Sequence, residues 1–146
     1  MKNPLEDLNK TLGFGLFLAF IVFLIRGYLG ILGEIGFWAF LFRWIHVFFG
    51  ILWIGLLYYF NFVQIPSMPK IPDEQKPAIS KVIAPAALFH FRWAAAGTVL
   101  FGLLTAGANR YLGQAIALRP PVVTVGIGMW LAIIKAANVW FVRITP

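Results

Sequence analysis

The chain has 146 residues, of which 61% are hydrophobic and only 12% charged, and its mean hydropathy of +0.85 is more than a soluble domain of that length can hide. The lack of cysteine excludes disulfides, thiolate zinc sites, an iron–sulfur cluster, covalent c-type haem attachment and a cysteine nucleophile, so any cofactor must be held by nitrogen, oxygen or methionine sulfur. The formal charge of +7 comes from Lys and Arg scattered without a basic stripe or RNA-binding motif, which fits anionic lipid head groups and argues against nucleic acid.

The opening Asn3-Pro4-Leu5-Glu6 reads as an N-cap, a first-turn proline and an acidic residue, with Leu5, Leu8 and Leu12 on one face of a helix that begins at the membrane surface. The first span is expected at about 11–32. Its leader carries Glu6 and Asp7, and the apolar run continues without a small-residue cleavage site, so it is expected to remain as a helix instead of being removed as a signal peptide. Gly27, Gly30 and Gly33, followed by Glu34, break the run and predict a tight hairpin into a second span at about 36–62.

From Ile65 to Lys81 the sequence turns polar and rich in proline, with Pro66, Pro69, Pro72 and Pro77 beside Lys70, Asp73, Glu74 and Lys76, so a substantial loop is expected at 65–81. Pro85 suits the first turn of a third span at about 84–108. Asn109-Arg110 through Arg119-Pro120-Pro121 separates it from a fourth span at about 122–142. The expected fold is therefore all-α: a single integral membrane domain over 1–146, built as a four-helix bundle. Lys2, Lys10, Lys70, Lys76, Lys81 and Arg143 on one side against Arg26, Arg110 and Arg119 on the other place both termini in the cytoplasm.

An ionisable group in hydrocarbon is costly unless paired, solvated or able to snorkel, so Arg43 and His46 in the second span, Arg92 in the third and Lys135 in the fourth each call for a reason. Arg43, His46, Gly50, Trp53 and Leu57 share one helical face. A glycine one turn after a histidine leaves room for a flat ring, and an arginine beside it can pair with a propionate, so haem b is the natural candidate for this face, with His46 as its metal ligand. The plainer alternative is that Gly50 permits close helix packing and His46 bonds to a neighbouring helix.

His90 is a poor second ligand for the same iron. Counted from the cytoplasmic end, His46 lies about 16 residues deep, roughly 24 Å at about 1.5 Å per residue, while His90 lies about 6 residues, roughly 9 Å, into the third span. Met129 in the fourth span comes to a level similar to that of His46, which makes it the easier second ligand, although methionine in a bundle is also a common gap-filler. Toward the cytoplasmic side, His90, Arg92, Lys135 and Asn138 reach similar depths, where they could bind an anionic substrate, a quinone or a haem propionate, or snorkel to lipid phosphates. Trp44, Tyr58, Tyr59, Trp93, Trp130 and Trp140 suit an interfacial belt or a bundle core. No nucleophile–base–acid set, phosphate-binding glycine loop, HExxH or mid-membrane carboxylate is present, which argues against a self-contained hydrolase.

The same residues carry a family resemblance. Arg43-Trp44-Ile45-His46, then Gly50-Ile51-Leu52-Trp53-Ile54-Gly55, then Tyr58-Tyr59-Phe60-Asn61 resemble the N-terminal membrane domain of the membrane-bound urate hydroxylase family. Phe91-Arg92-Trp93-Ala94 and Asn138-Val139-Trp140-Phe141 are similar to later segments of that domain, so the likeness covers roughly residues 40–142. There is also a more distant similarity to small haem-binding membrane oxidases of the protoporphyrinogen oxidase and copper-resistance type. The resemblance implies a redox-linked module of a bacterial inner membrane that exchanges electrons with a partner. His46 and Arg43 transfer as motif positions only. The chain lacks Cys-x-x-Cys-His and has fewer spans than the full family domain, so urate chemistry is expected only together with partners. The competing expectation is a non-catalytic accessory subunit packed in a larger membrane complex or in a homo-oligomer.

Overall fold

Each helix boundary has a local cause. In the computed structural model, which describes residues 7–30 and 33–141, the first helix α1 (Leu8–Tyr28) is capped by Asp7, whose carboxylate accepts hydrogen bonds from the backbone N–H groups of Asn9 at 3.0 Å and Lys10 at 3.4 Å. The cap expected at Asn3-Pro4 with Glu6 lies outside the described residues, as do Lys2 and Arg143. α1 ends before the expected position 32, because Leu29 leaves the helical region and Gly30 adopts φ +74°, a left-handed conformation open to glycine.

The second helix, α2, runs without interruption over Ile35–Lys70, and the third, α3, over Lys76–Ala108. The loop expected at 65–81 is thereby reduced to the short polar link 71–75. Proline fails to break either helix because each contains a widened turn just ahead of it. In α2 the π turn Tyr59–Gln64 closes with the Ile65 N–H donating to the Phe60 carbonyl, and Pro66 follows. In α3 the π turn Ile79–Ile83 closes with the Ala84 N–H donating to the Ile79 carbonyl, and Pro85 follows. In each case the residue before proline, which disfavours a regular α turn, makes the wider bond, and the helix absorbs the missing proline N–H.

The connection after α3 is more ordered than a bare loop. Arg110 (φ 61°) ends α3 in a left-handed turn that the Tyr111 N–H closes on the Ala106 carbonyl at 3.1 Å, and Asn109 Nδ2 donates to the Thr105 carbonyl at 2.7 Å. The short helix α4 (Leu112–Ile116) follows and ends in the same manner at Leu118 (φ 53°). Past a cis Pro120–Pro121 bond, α5 (Val123–Phe141) matches the expected fourth span. No strand occurs among the described residues.

Four helices, Asn9–Tyr28, Ile35–Lys70, Lys76–Ala108 and Val123–Phe141, are long and apolar enough to cross a membrane, so the chain is a membrane protein whose helices meet lipid. It divides into two compact units, Met1–Trp38 and Ala39–Pro146. The first unit holds α1, which is largely apolar and has no buried side chain over Asn9–Tyr28. The second holds nearly all of α2 with α3, α4 and α5.

Within the second unit, α2 and α3 are antiparallel. Phe42 meets Phe101, Phe49 stacks on Phe101 with ring centroids 5.9 Å apart, and Trp53 meets Phe91 edge to face. The core joins Trp53 and Phe91 to Ala94, Ala95, Ala136 and Val139, so aromatic rings from α2 fill the space left by small residues on α3 and α5. Without water to drive apolar side chains together, van der Waals packing of this kind holds helices in lipid. Two glycines fix the fit. Phe49 lies so close over Gly97 that a Cβ there would stand 2.6 Å from its ring, and Gly126 lies against the backbone carbonyl of Ala115 in α4.

Candidate functional site

A cavity of about 460 Å³ opens in the second unit between α2, α3 and α5, with Tyr111 at its edge. Arg43, His46, Gly50 and Trp53 all line it, so the helical face picked out by spacing faces one shared space. Ile54 joins them and Leu57 does not. Met129 of α5 lines the same cavity and is half-buried. The volume falls within the range of roughly 300–1,000 Å³ usual for cofactor and small-molecule sites.

His46 is the best-anchored polar group in the cavity. Its Nδ1 lies 2.7 Å from the backbone carbonyl of Thr98 on α3. A carbonyl only accepts, so Nδ1 carries the proton and donates it, and in the neutral ring the lone pair is left on Nε2. Thr98, which is buried, is itself held by its hydroxyl donating to the Ala94 carbonyl at 2.7 Å. The Nδ1–Cε1 edge of the imidazole lies against Gly102, where a Cβ would be 3.0 Å from both atoms. The tautomer, the ring plane and the tilt of His46 are therefore all set by α3.

The glycine roles differ from the sequence reading in one respect. The glycine against which the His46 ring lies is Gly102 on the opposite helix. Gly50 has only Thr98 Cγ2 near its open side, at 4.0 Å, so it keeps the cavity wall clear. Thr98, Gly102, Thr105 and Tyr111 are wall residues that charge and periodicity did not single out. The signal available for them was the run Ala94-Ala95-Ala96-Gly97-Thr98 with Gly102 and Thr105, a stripe of small and hydroxyl residues that marks a close helix contact.

The other proposed polar residues lie elsewhere. His90 is exposed, with its Nδ1 donating to Ala86 of its own helix at 2.8 Å, and it does not line the cavity. Arg92 lines a second cleft, formed with Ser80, Pro85, Phe89, Trp93 and Trp140, so it is not placed to serve a group held by His46. Lys135 and Asn138 are exposed on α5 and line neither space.

Arg43 is exposed at the cavity margin, and neither ion pair recorded among the described residues, Lys10–Asp7 and Lys76–Asp73, involves it. Among the described residues no three His, Cys, Asp or Glu side chains converge on a metal-binding point. A metal here would need to bring most of its ligands with it, as a porphyrin does.

Fold and site together define a membrane protein with a histidine-bearing cavity among its helices. No family model matches the chain, and neither the curated proteins nor the solved structures contain a match to it.

Proposed function

We propose that the cavity binds haem b and that the chain is a redox-linked module of a bacterial inner membrane, a four-helix bundle with both termini cytoplasmic. The observation that carries this reading is the His46–Thr98 hydrogen bond, which leaves Nε2 as the free ring nitrogen of a histidine lining a largely apolar cavity. Histidines that bind metals commonly donate their other N–H to a carbonyl in this way, which orients the ring and makes the ligating nitrogen more basic.

The remaining wall residues fit a porphyrin. Gly50 leaves space for a flat macrocycle, Trp53 and Ile54 give it an apolar face, Met129 offers a thioether sulfur, and Arg43 supplies a cation for a carboxylate. Bound haem would supply one-electron chemistry. The protein would hold the ring, exclude water from one side and neutralise a propionate at the Arg43 margin. Of the stretches that resemble the urate hydroxylase membrane domain, Arg43, His46, Gly50, Trp53 and Ile54 line the cavity, which supports a redox role alongside an electron-transfer partner.

The test is spectroscopic. The purified, dithionite-reduced protein is expected to show a Soret band and a haem α-band, and His46→Ala is expected to lose both. A colourless protein supplied with haem during expression, or an unchanged spectrum in His46→Ala, would overturn the assignment.

A second reading, a non-catalytic accessory subunit, draws on the fit of His46 against Gly102: a ring seated on a glycine and bonded to a carbonyl is also how a histidine joins two helices. Native mass measurement in mild detergent separates the two. Co-purifying membrane subunits without pigment favour the accessory role, and a pigmented species favours the redox module.

A further inference from the structure

The second cleft, about 530 Å³ in volume, is walled by Leu88, Phe89, Trp93 and Trp140 and contains one charged side chain, Arg92. Its frame is well fixed. Trp140 Nε1 donates to the Arg92 backbone carbonyl at 3.2 Å, and the Trp93 and Trp140 rings meet edge to face at 5.5 Å. The π turn Ile79–Ile83 borders it and contributes Ser80.

Arg92 is half-buried, no acid lines its cleft, and neither recorded ion pair among the described residues includes it. A guanidinium kept partly out of water without a counter-charge calls for an anion from outside the chain.

Depth identifies where that anion comes from. Arg92 lies about 16 residues from the Ala108 end of α3, and Trp140 about 17 residues from the Val123 end of α5, or roughly 24–26 Å at about 1.5 Å per residue. In a hydrocarbon core of about 30 Å both sit roughly 4–6 Å inside the opposite boundary, a depth from which an arginine side chain reaches up to the lipid phosphates.

We propose that this cleft is a binding site for one anionic phospholipid. The Arg92 guanidinium holds the phosphodiester through paired N–H donors, and Leu88, Phe89, Trp93 and Trp140 receive the upper part of an acyl chain. Arginine suits this task better than lysine because its planar fork matches two phosphate oxygens at once. The absence of any carboxylate among the lining residues favours an anionic head group over a zwitterionic one, whose ammonium would find no partner there.

The test is native mass spectrometry of the full chain in detergent, with phosphatidylglycerol or phosphatidylcholine added. One phosphatidylglycerol is expected to stay bound at collision energies that strip phosphatidylcholine. Arg92→Gln is expected to lower the bound fraction roughly tenfold to a hundredfold, as befits the loss of charge-assisted bonds, while Lys135→Gln, outside the cleft, leaves it within about twofold. Should Arg92→Gln fail to fold, Arg92→Lys decides: a loss of several-fold supports the site and an unchanged fraction overturns it. Equal retention of the two lipids, equal loss in Lys135→Gln, or displacement of phosphatidylglycerol by millimolar inorganic phosphate would each overturn it, the last by pointing to a soluble phosphate ligand.

Discussion

Replacing Gly102 with alanine separates a working His46 site from simple helix packing. The new methyl would stand 3.0 Å from both Nδ1 and Cε1 of His46, closer than side-chain carbons normally approach, so the imidazole must shift by a few tenths of an ångström. That shift strains a hydrogen bond to Thr98 that is only 2.7 Å long. Its loss costs about 0.5–1.5 kcal/mol of stability, and alanine in place of a mid-helix glycine returns about 0.5–1 kcal/mol, so the net change in stability stays within about 1 kcal/mol. The effect on a bound cofactor is much larger, because disturbing the group that orients a metal-binding histidine typically lowers affinity roughly tenfold to a hundredfold.

Gly97→Ala is the matched control. Its methyl would stand 2.6–2.7 Å from three ring atoms of Phe49, which is held from behind by its stack on Phe101. Overpacking of this kind costs about 1–3 kcal/mol and leaves the His46–Thr98 bond out of direct contact. Thermal unfolding in detergent and haem titration followed at the Soret band measure the two responses. Gly102→Ala should keep its melting temperature and lose affinity, and Gly97→Ala should do the opposite. If Gly102→Ala proves the less stable of the two while binding haem normally, His46 is a packing residue.

Gly126→Ala should be the most damaging glycine substitution, destabilising by about 2–3 kcal/mol in chemical denaturation, since its methyl meets the rigid Ala115 backbone carbonyl, whereas Gly55→Ala, with nothing within 4 Å, should be neutral or slightly stabilising. Trp53→Ala empties the centre of the core and should cost about 3–5 kcal/mol, read from the same unfolding curves. Asp73→Asn removes the 2.6 Å contact with Lys76, but the aspartate is 93% exposed, so the melting temperature should stay within about 1 °C in physiological salt. Arg43→Gln should weaken haem binding by up to about tenfold and leave binding of mesohaem dimethyl ester, which has no free carboxylates, unchanged in a parallel titration.

Much of the fold could be read from length and hydropathy, because lipid allows few backbone solutions and each apolar run long enough to span is a helix. The boundaries were harder to read. Prolines at 66, 69, 77 and 85, among charged residues, point to a loop under rules that hold for regular α turns, yet the π turns at Tyr59–Gln64 and Ile79–Ile83 carry the helices past Pro66 and Pro85, while Pro69 falls in the closing 3-10 turn of α2 and Pro77 in the first turn of α3. Those turns depend on a bond one residue longer than usual, made by the residue ahead of Pro66 and of Pro85, and a proline alone does not tell such a turn from the end of a helix. Arg110 and Leu118 are similar cases. Their left-handed turns are closed by backbone bonds to Ala106 and to Gln114, without the glycine that would have signalled them.

The site shows the same division between what one helix determines and what only two can. Periodicity within α2 places Arg43, His46, Gly50 and Trp53 on one face, since that follows from the helix's own pitch. Which nitrogen of His46 carries a proton, and what the ring rests on, are decided by Thr98 and Gly102, about fifty residues further along. Depth counting carried across that gap for Met129, which shares the cavity, and for His90, which does not, because rise per residue is the same in every span. For Arg92 it gave a level shared with His90, Lys135 and Asn138 but not the space the side chain lines. Residues at one depth can face different spaces, and Arg92 is turned toward Trp93 and Trp140 instead of His46. The two intramembrane arginines are therefore predicted to act independently. Arg43→Gln should alter haem titrations without changing lipid retention, and Arg92→Gln should do the reverse. A double variant whose two losses failed to add in free energy would mean that the cavities communicate through α3.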